Sequence, residues 1–251
     1  MLTIWGRENS VNVKKVLWCA AELQLVFNFI PAGGQYGKNQ DAPFLSLNPN
    51  GLVPCLQDDE NDLVLWESNT IVRYLAARYG QDVWLLSDAA ERARNEKWMD
   101  WTLSLLAPAL QPLFVSLVRT PAKQRDPAVI ERGIAACEKL FAIADGALKK
   151  QPWFAGDAFG IGDIPLGCLA YNWFNLAIER QPRPRLEACF RRCANERPIN
   201  SGSCCRSVEA GARLSPPPGP PATAYRCDHR SAHRGNRRGR RGHRGYARRD
   251  P

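Results

Sequence analysis

Residues 48–54 read Asn-Pro-Asn-Gly-Leu-Val-Pro and restrict the fold more than any other stretch of this sequence. The first four residues are a turn, and Pro54 opens the apolar run that follows. A strand that starts at an X-Pro bond lacks one backbone donor and leaves edge backbone free. Glu67 and Ser68 then begin a predicted helix. The Ser68 hydroxyl and the first backbone amides of this helix can bind an anion. Together the two features predict a binding surface made of free backbone and a helix end.

The first eighty residues alternate between strand and helix patterns. Apolar residues recur at helical spacing after a short first strand, and Gly80 is placed to end the last helix. The order β-α-β-α-β-β-α is that of a thioredoxin-like domain. The predicted strands are 2–5, 26–30, 53–57 and 63–66, and the predicted helices are 11–24, 41–47 and 67–79.

The second half of the chain is predicted to be helical throughout. Segments separated by Pro and Gly carry helical periodicity at 89–119, 127–150, 163–179 and 186–195. The expected architecture is therefore α/β plus all-α: a thioredoxin-like domain (1–80), a linker (81–88), a helical-bundle domain (89–198) and a tail (199–251).

Histidine and cysteine usage excludes several classes of enzyme. The three histidines all lie after residue 228. Residues 1–228, which include the predicted folded domains, therefore cannot form a Ser-His-Asp hydrolase site, a Cys-His protease site or a His-ligated metal centre. Nine cysteines include no C-x-x-C pair, and most lie in apolar runs, as core residues of a reduced cytoplasmic protein do. The start is too short for a signal sequence, and no apolar run is expected to span a membrane.

The tail, residues 199–251, differs from the body in charge and in apolar content. It holds 12 arginines, no lysine and three acids, so the formal net charge of +9 belongs to it and the body is neutral. With few large apolar residues it is predicted to be disordered. Its Arg-Gly run can hold RNA phosphates, which is one alternative. The preferred hypothesis is a frameshifted or extended C-terminus, because the composition is that of GC-rich coding DNA read out of frame.

Four motifs occur together in residues 1–198, and with them the chain resembles the cytosolic glutathione S-transferases, closest to the bacterial theta-like and related groups. The motifs are Asn12-Val13-x-Lys15-Val16, the 48–54 turn, Glu67-Ser68, and a capping box from Gly160 to Asp163. The resemblance implies glutathione as co-substrate, small hydrophobic electrophiles as second substrates, no metal, and a homodimer.

The expected chemistry starts with the thiol of glutathione, which attacks electrophiles only as a thiolate. Lowering its pKa by about two units requires about 2.7 kcal/mol, which one charge-assisted hydrogen bond and a helix dipole can supply. Ser10 and Asn12 are the donors at the start of the first helix. The resemblance gives a catalytic role to either one, and the sequence does not decide between them. An ordinary helix cap is the other interpretation of Ser10.

The rest of the site is assigned by the same resemblance. It implies a cis Val53–Pro54 bond that offers the Val53 backbone to the cysteinyl unit of glutathione. Glu67 and Ser68 would hold the γ-glutamyl end, and Lys38 the glycyl carboxylate. Trp98, Trp101, Leu105 and Phe114 are candidates for an electrophile pocket, although most of these side chains suit a core equally well.

Two alternative functions stay open from the sequence. Cys19 lies deep in an apolar helical stretch, so a mixed disulfide on that residue is not expected. A glutathione-dependent disulfide reductase or peroxidase without an enzyme cysteine remains one alternative. A non-catalytic module that binds glutathione is the other.

Overall fold

The computed structural model describes residues 1–80, 83–84, 88–196 and 224–225. The strands are β1 Leu2–Gly6, β2 Phe27–Pro31, β3 Cys55–Asp58, β4 Leu63–Trp66 and the two-residue β5 Ala224–Tyr225. They form one sheet in the order β4–β3–β1–β2–β5. β1 and β2 are parallel, and the other pairs are antiparallel. The strands β1 to β4 are the four that the sequence pattern predicts, whereas β5 lies in the tail and was not predicted.

Three helices belong to the sheet domain: α1 Val11–Glu22, α2 Ala42–Leu47 and α3 Ser68–Tyr79. α1 and α3 pack against each other and share one core with the helices of the second half. A separate small cluster surrounds Phe44 of α2, whose ring centroid lies 5.7 Å from that of Trp5. The predicted thioredoxin-like order of elements is therefore confirmed, with strand and helix ends shifted by one or two residues.

The helices of the second half are α4 Ala89–Trp101, α5 Ala107–Phe114, α6 Pro127–Ala147, α7 Asp163–Asn175 and α8 Pro184–Glu196. Wider π turns, at Thr102–Leu106 and Val115–Arg119, continue α4 and α5 into one helical run, Ala89–Arg119. Pro108 and Pro112 lie in this run, and each removes an i→i−4 hydrogen bond and crowds the preceding turn. The expected helical domain after an α/β domain is confirmed.

The run Ala89–Arg119 bears on the expectation that no apolar stretch could span a membrane. Its 31 residues include an 18-residue window of mean hydropathy 1.5. By length and composition alone, the run is long and apolar enough to cross a membrane. The expectation was therefore too strict. Leu106, Leu110 and Leu113 of this run lie in the shared core, and a core helix of a globular body passes the same test.

The two halves meet where α1 packs on α7. Gly167 of α7 lies against the indole of Trp18, and a Cβ at this position would come within 2.7 Å of that ring. Trp84, between the halves, donates from its indole nitrogen to the Phe159 carbonyl at 3.2 Å. The buried contact at Trp18 holds α1 beside the helical half, and the Trp84 hydrogen bond joins the segment between the halves to the residues before α7.

The predicted capping box lies at the start of α7. The Asp163 carboxylate accepts hydrogen bonds from the backbone N–H groups of Gly160 at 3.0 Å and Phe154 at 2.6 Å. The helix itself begins at Asp163, two residues later than a cap at Gly160 would place it. A Cβ on Gly160 would lie 2.4 Å from Asn95 Oδ1, which explains the absence of the Ser or Thr side chain expected in this box.

The predicted disorder of the tail lies outside the described residues, apart from Ala224–Tyr225, which pair with Phe27 and Asn28 of β2.

Candidate active site

A cavity of about 530 Å³ opens between the sheet domain and the helical half. Its sheet side is built from the β1–α1 loop, the first turn of α1, the 48–54 loop and the start of α3. Its helical side is built from the stretch between Leu103 and Arg119 and from α7. Ser10, Asn12, Val53, Pro54, Glu67, Ser68 and Phe114 all line this one space.

Ser10 and Asn12 lie where α1 begins. Ser10 is the N-cap residue, with extended backbone angles of −88° and 125°, but its hydroxyl makes no capping hydrogen bond. The interpretation of Ser10 as an ordinary side-chain cap therefore fails, and the hydroxyl is available to the cavity. Asn12, the second residue of the helix, is exposed on the same wall. The positive end of the helix dipole points at this position.

Lys15 lies beneath Asn12, and sequence reasoning selected it only as part of a family motif and not as a site residue. Its side chain is 1% exposed, and its ammonium nitrogen lies 3.0 Å from Asn12 Oδ1 and 3.5 Å from Ser68 Oγ. Burial lowers the pKa of Lys15, while the charge of Glu67 acts in the opposite direction. Within the described residues no carboxylate forms an ion pair with it.

The Lys15 contact decides how the Asn12 amide is oriented. Since Oδ1 accepts from the ammonium, the NH₂ group of Asn12 is left to donate elsewhere. Lys15 thereby joins the opening turns of α1 and α3 through neutral partners. The signal that could have found it is its place three residues after Asn12, on the same helix face, within the Asn12-Val13-x-Lys15-Val16 motif.

The Val53–Pro54 bond is cis, as the resemblance implied. Val53 lines the cavity, and neither its N–H nor its C=O has a hydrogen-bond partner among the residues that the structure describes. An unpaired backbone donor and acceptor side by side can bind another extended chain as a short antiparallel pair.

The loop that carries Val53 is held by side-chain hydrogen bonds. Asn48 is 2% exposed, donates to the Leu52 carbonyl at 2.7 Å and accepts from the Asn50 N–H at 3.1 Å. Gly51 has φ of 61°, and its carbonyl accepts from Asn39 Nδ2 at 2.7 Å. A Cβ at Gly51 would lie 2.4 Å from the Gln40 amide, so this turn requires glycine.

Glu67 and Ser68 open α3 on the other side of Val53. Glu67 has a left-handed φ of 71°, which is uncommon for a residue with a side chain and is typical of functional turns. Its carboxylate is exposed, whereas Ser68 is buried and its hydroxyl faces Lys15. The helix end presents amide donors and a hydroxyl beside one free carboxylate, which can hold a zwitterionic amino-acid group.

The other predicted site residues are placed elsewhere. Lys38 is exposed, with φ of 65°, and does not line the cavity, whereas its neighbour Asn39 does. Trp98 packs against Trp101 and Phe154, with ring centroids 5.4 and 5.1 Å away, and neither tryptophan lines the cavity. Their apolar surfaces serve the core, which the sequence pattern alone could not distinguish from a pocket.

Phe114 does line the cavity, with neighbours that sequence reasoning missed. Leu105 does not, and Leu103 takes its place in the wall. The helical wall also includes Leu110, Gln111 and Arg119. The π turn at 102–106 adds residues to the helical turn and rotates the faces of the following segment, so regular α periodicity misassigns them.

A thioredoxin-like domain followed by a helical domain, with one cavity between them, is the arrangement of glutathione S-transferases. Comparison with known families gives the same class. The family description "Glutathione S-transferase, N-terminal domain" matches residues 1–77, and "Glutathione S-transferase, C-terminal domain" matches residues 105–196. The chain belongs to the glutathione S-transferase family, which confirms the resemblance inferred from its motifs.

Individual relatives place the chain more closely. Glutathione S-transferase GstB of Escherichia coli (strain K12) is 50% identical over 198 residues, which cover 79% of this chain and 95% of that protein. Glutathione S-transferase 3 of Zea mays is 31% identical over 186 residues, covering 73% and 81%. The theta class enzyme of Xanthomonas axonopodis pv. citri, solved with glutathione bound, is 46% identical with a TM-score of 0.77, covering 80% of this chain and 96% of that one.

Proposed function

We propose that this protein is a glutathione transferase that holds the thiol of glutathione as a thiolate for attack on small electrophiles. The observation that carries the proposal is the single cavity that joins the opening turn of α1, the unpaired Val53 backbone and the start of α3. The relatives named as glutathione S-transferases, and the Xanthomonas enzyme solved with glutathione bound, support it.

The tripeptide is proposed to lie along the sheet side of the cavity. The Val53 N–H and C=O pair with the cysteinyl backbone, which directs the sulfur toward Ser10 and Asn12. The Ser68 hydroxyl and the first amides of α3 bind the γ-glutamyl carboxylate, and the exposed Glu67 carboxylate binds the ammonium group. Lys38, which lies outside the cavity lining, keeps only a proposed outer contact with the glycyl carboxylate.

The electrophile is proposed to enter from the helical side. Leu103, Leu110 and Phe114 supply apolar contacts there, within reach of a thiolate held at the start of α1. Trp98 and Trp101 are not part of this proposal because they pack away from the cavity.

Turnover with a chromogenic aryl halide and glutathione tests the function. We expect a rate above the uncatalysed reaction, and competitive inhibition by S-methylglutathione. Reduction of a mixed glutathione disulfide or of cumene hydroperoxide at a higher kcat/KM would favour the disulfide reductase or peroxidase. Calorimetric binding of glutathione without turnover of any of these substrates would leave only a non-catalytic binding module.

Ser68→Ala is expected to raise the KM for glutathione by about 10-fold and to change kcat by less than about 3-fold, because it removes one donor to the γ-glutamyl carboxylate, worth about 1.4 kcal/mol. Ser46→Ala, an exposed serine of α2 whose hydroxyl donates to the Pro43 carbonyl, is the matched control and should leave KM unchanged. An unchanged KM in Ser68→Ala contradicts the assigned contact.

We further propose a homodimer in the cytoplasm with a role in detoxification and no bound metal. Exposed Leu105 and Val64, on the helical run and on β4, support a second copy as the partner. Light scattering after size-exclusion chromatography measures the mass, and a monomer at micromolar concentration contradicts this part of the proposal.

The division into 1–80, 81–88, 89–198 and 199–251 is also a proposal, supported by the family match ending at 196. Truncation after Pro198 is expected to change kcat/KM for conjugation by less than about 2-fold, because the described lining of the cavity runs from Arg7 to Asn172 and is complete enough to hold the proposed site residues. A larger loss of kcat/KM would show that the tail contributes to the active protein. RNA retention on a filter that disappears with the truncation would instead favour nucleic-acid binding by the tail.

A further inference from the structure

The cavity carries more positive charge than a purely apolar electrophile requires. Its charged lining residues are Arg7, Lys15, Glu67 and Arg119. Lys15 is engaged by Asn12 and Ser68, and Glu67 stands at the γ-glutamyl end of the proposed glutathione site. Arg7 and Arg119 are therefore the charged lining residues that have no role in the glutathione site proposed above.

Arg7 and Arg119 approach the same space from the two halves of the protein. The Arg7 guanidinium donates to Asn9 Oδ1 at 2.6 Å, and the Arg119 guanidinium lies over the Phe114 ring, with its carbon 5.6 Å from the centroid. No ion pair joins either arginine to a carboxylate within the part of the chain that the structure describes. Burial lowers the pKa of Arg7, and the like charge of Arg119 lowers it further.

The position of this pair relates it to the reacting sulfur. The Arg7 carbonyl accepts from the Ser10 N–H at 3.0 Å, so Arg7 stands one turn before the proposed thiolate donors. Arg119 ends the helical wall that includes Phe114 and Val115. Two guanidinium groups that repel each other across a cavity favour an anion between them, because it offsets their repulsion and accepts their hydrogen bonds.

We propose that Arg7 and Arg119 bind the carboxylate of the electrophilic substrate, so that the preferred electrophiles are small aryl or alkyl halides bearing a carboxylate. The inference rests on the proposed transferase function and names the substrate class of that site. In the reaction the glutathione thiol first loses its proton to solvent. The thiolate electron pair then forms the C–S bond, the carbon–halogen bond breaks, and halide leaves with its electrons while the carboxylate is unchanged.

Two electrophiles that differ at one substituent, a carboxylate or its neutral amide, test the inference: 4-chloro-3-nitrobenzoate and 4-chloro-3-nitrobenzamide. We expect the wild-type ratio of kcat/KM, benzoate over benzamide, to exceed that of the uncatalysed reaction. Arg7→Gln and Arg119→Gln should each lower this ratio by about 10-fold, as loss of one charge-assisted hydrogen bond predicts. Arg132→Gln, an exposed arginine of α6 outside the cavity, is the matched control.

The outcomes separate this inference from the proposed function. A ratio that does not change in either variant overturns the inference. If both electrophiles lose rate equally and the KM rises for glutathione but not for γ-glutamylcysteine, the arginines bind the glycyl carboxylate instead, and the inference is also overturned.

A binding measurement tests the carboxylate site even if the protein shows no transferase turnover. The benzoate and benzamide conjugates of glutathione are titrated calorimetrically into the wild type and the two variants. Tighter binding of the benzoate conjugate, lost in Arg7→Gln and Arg119→Gln, supports the carboxylate site even if the transferase proposal fails. Equal affinity for both conjugates overturns it.

Discussion

Asn12→Ala is expected to lower kcat/KM for aryl-halide conjugation by about 100-fold, and Ser10→Ala by about 10-fold. Both side chains reach the cavity from the start of α1, but only the Asn12 amide is held by an ammonium group. That contact orients the NH₂ group outward and polarises it, so its hydrogen bond to a thiolate is the stronger one. Loss of one preorganised donor to a developing anion costs about 100- to 1,000-fold in related chemistry.

The pH dependence distinguishes this role from a structural one. The pKa of the bound thiol, read from thiolate absorbance at 240 nm or from the pH profile of kcat/KM, should rise by more than one unit in Asn12→Ala, since one unit corresponds to about 1.4 kcal/mol. Asn175→Ala, an exposed asparagine at the end of α7 that donates to the Tyr171 carbonyl, serves as control. A thiol pKa that rises in Ser10→Ala but not in Asn12→Ala would transfer the principal role to the serine.

Lys15→Met is expected to lower kcat/KM by about 10- to 100-fold and to raise the pKa of bound glutathione by about one unit. Methionine has a similar length and fills the buried space without an ammonium group. The Asn12 amide then loses its anchor, and the positive charge beneath the thiolate site is removed. Lys15 touches Asn12 and Ser68 rather than the proposed sulfur position, so it is a positioning residue.

Lys14→Met is the control for that prediction. Lys14 is 6% exposed and lies outside the cavity, with its ammonium nitrogen 4.7 Å from the centroid of the Tyr171 ring. The Lys14→Met variant should leave the pKa of the bound glutathione thiol unchanged. If Lys15 acts through Asn12, the Asn12→Ala/Lys15→Met double variant should be no slower than Asn12→Ala within about 3-fold. Fully additive losses would contradict this coupling.

Stability gives an independent readout of the same lysine. Burial places the pKa of Lys15 below its ordinary value of 10.5. Between the lowered folded-state pKa and 10.5, the unfolded chain binds more protons than the folded chain, so the free energy of unfolding rises with pH in that window. Lys15→Met should lose this rise and be at least as stable as wild type near pH 7, because a buried charge is removed. Urea denaturation at pH 7, 9 and 10 measures both effects.

Most elements and half of the site were predictable because they depend on local patterns. Alternation, helical spacing and Pro-Gly punctuation are properties of short stretches, and they place the strands, the helices and the family motifs without tertiary information. Ser10, Val53 and Glu67 were assigned through the resemblance that these motifs carry, and the described cavity is lined by all three.

The sequence by itself determined the order of elements, the family and the residues at element starts. Only the tertiary structure decided which side chains share the cavity. Lys15 is buried because α3 and α7 cover α1, Leu103 replaces Leu105 because a π turn rotates the helical wall, and Trp98 is directed into the core by Phe154. The placement of Arg7 and Arg119 around one cavity likewise depends on how the sheet domain packs against the helical half. Such contacts join residues far apart in the chain, so no local pattern records them.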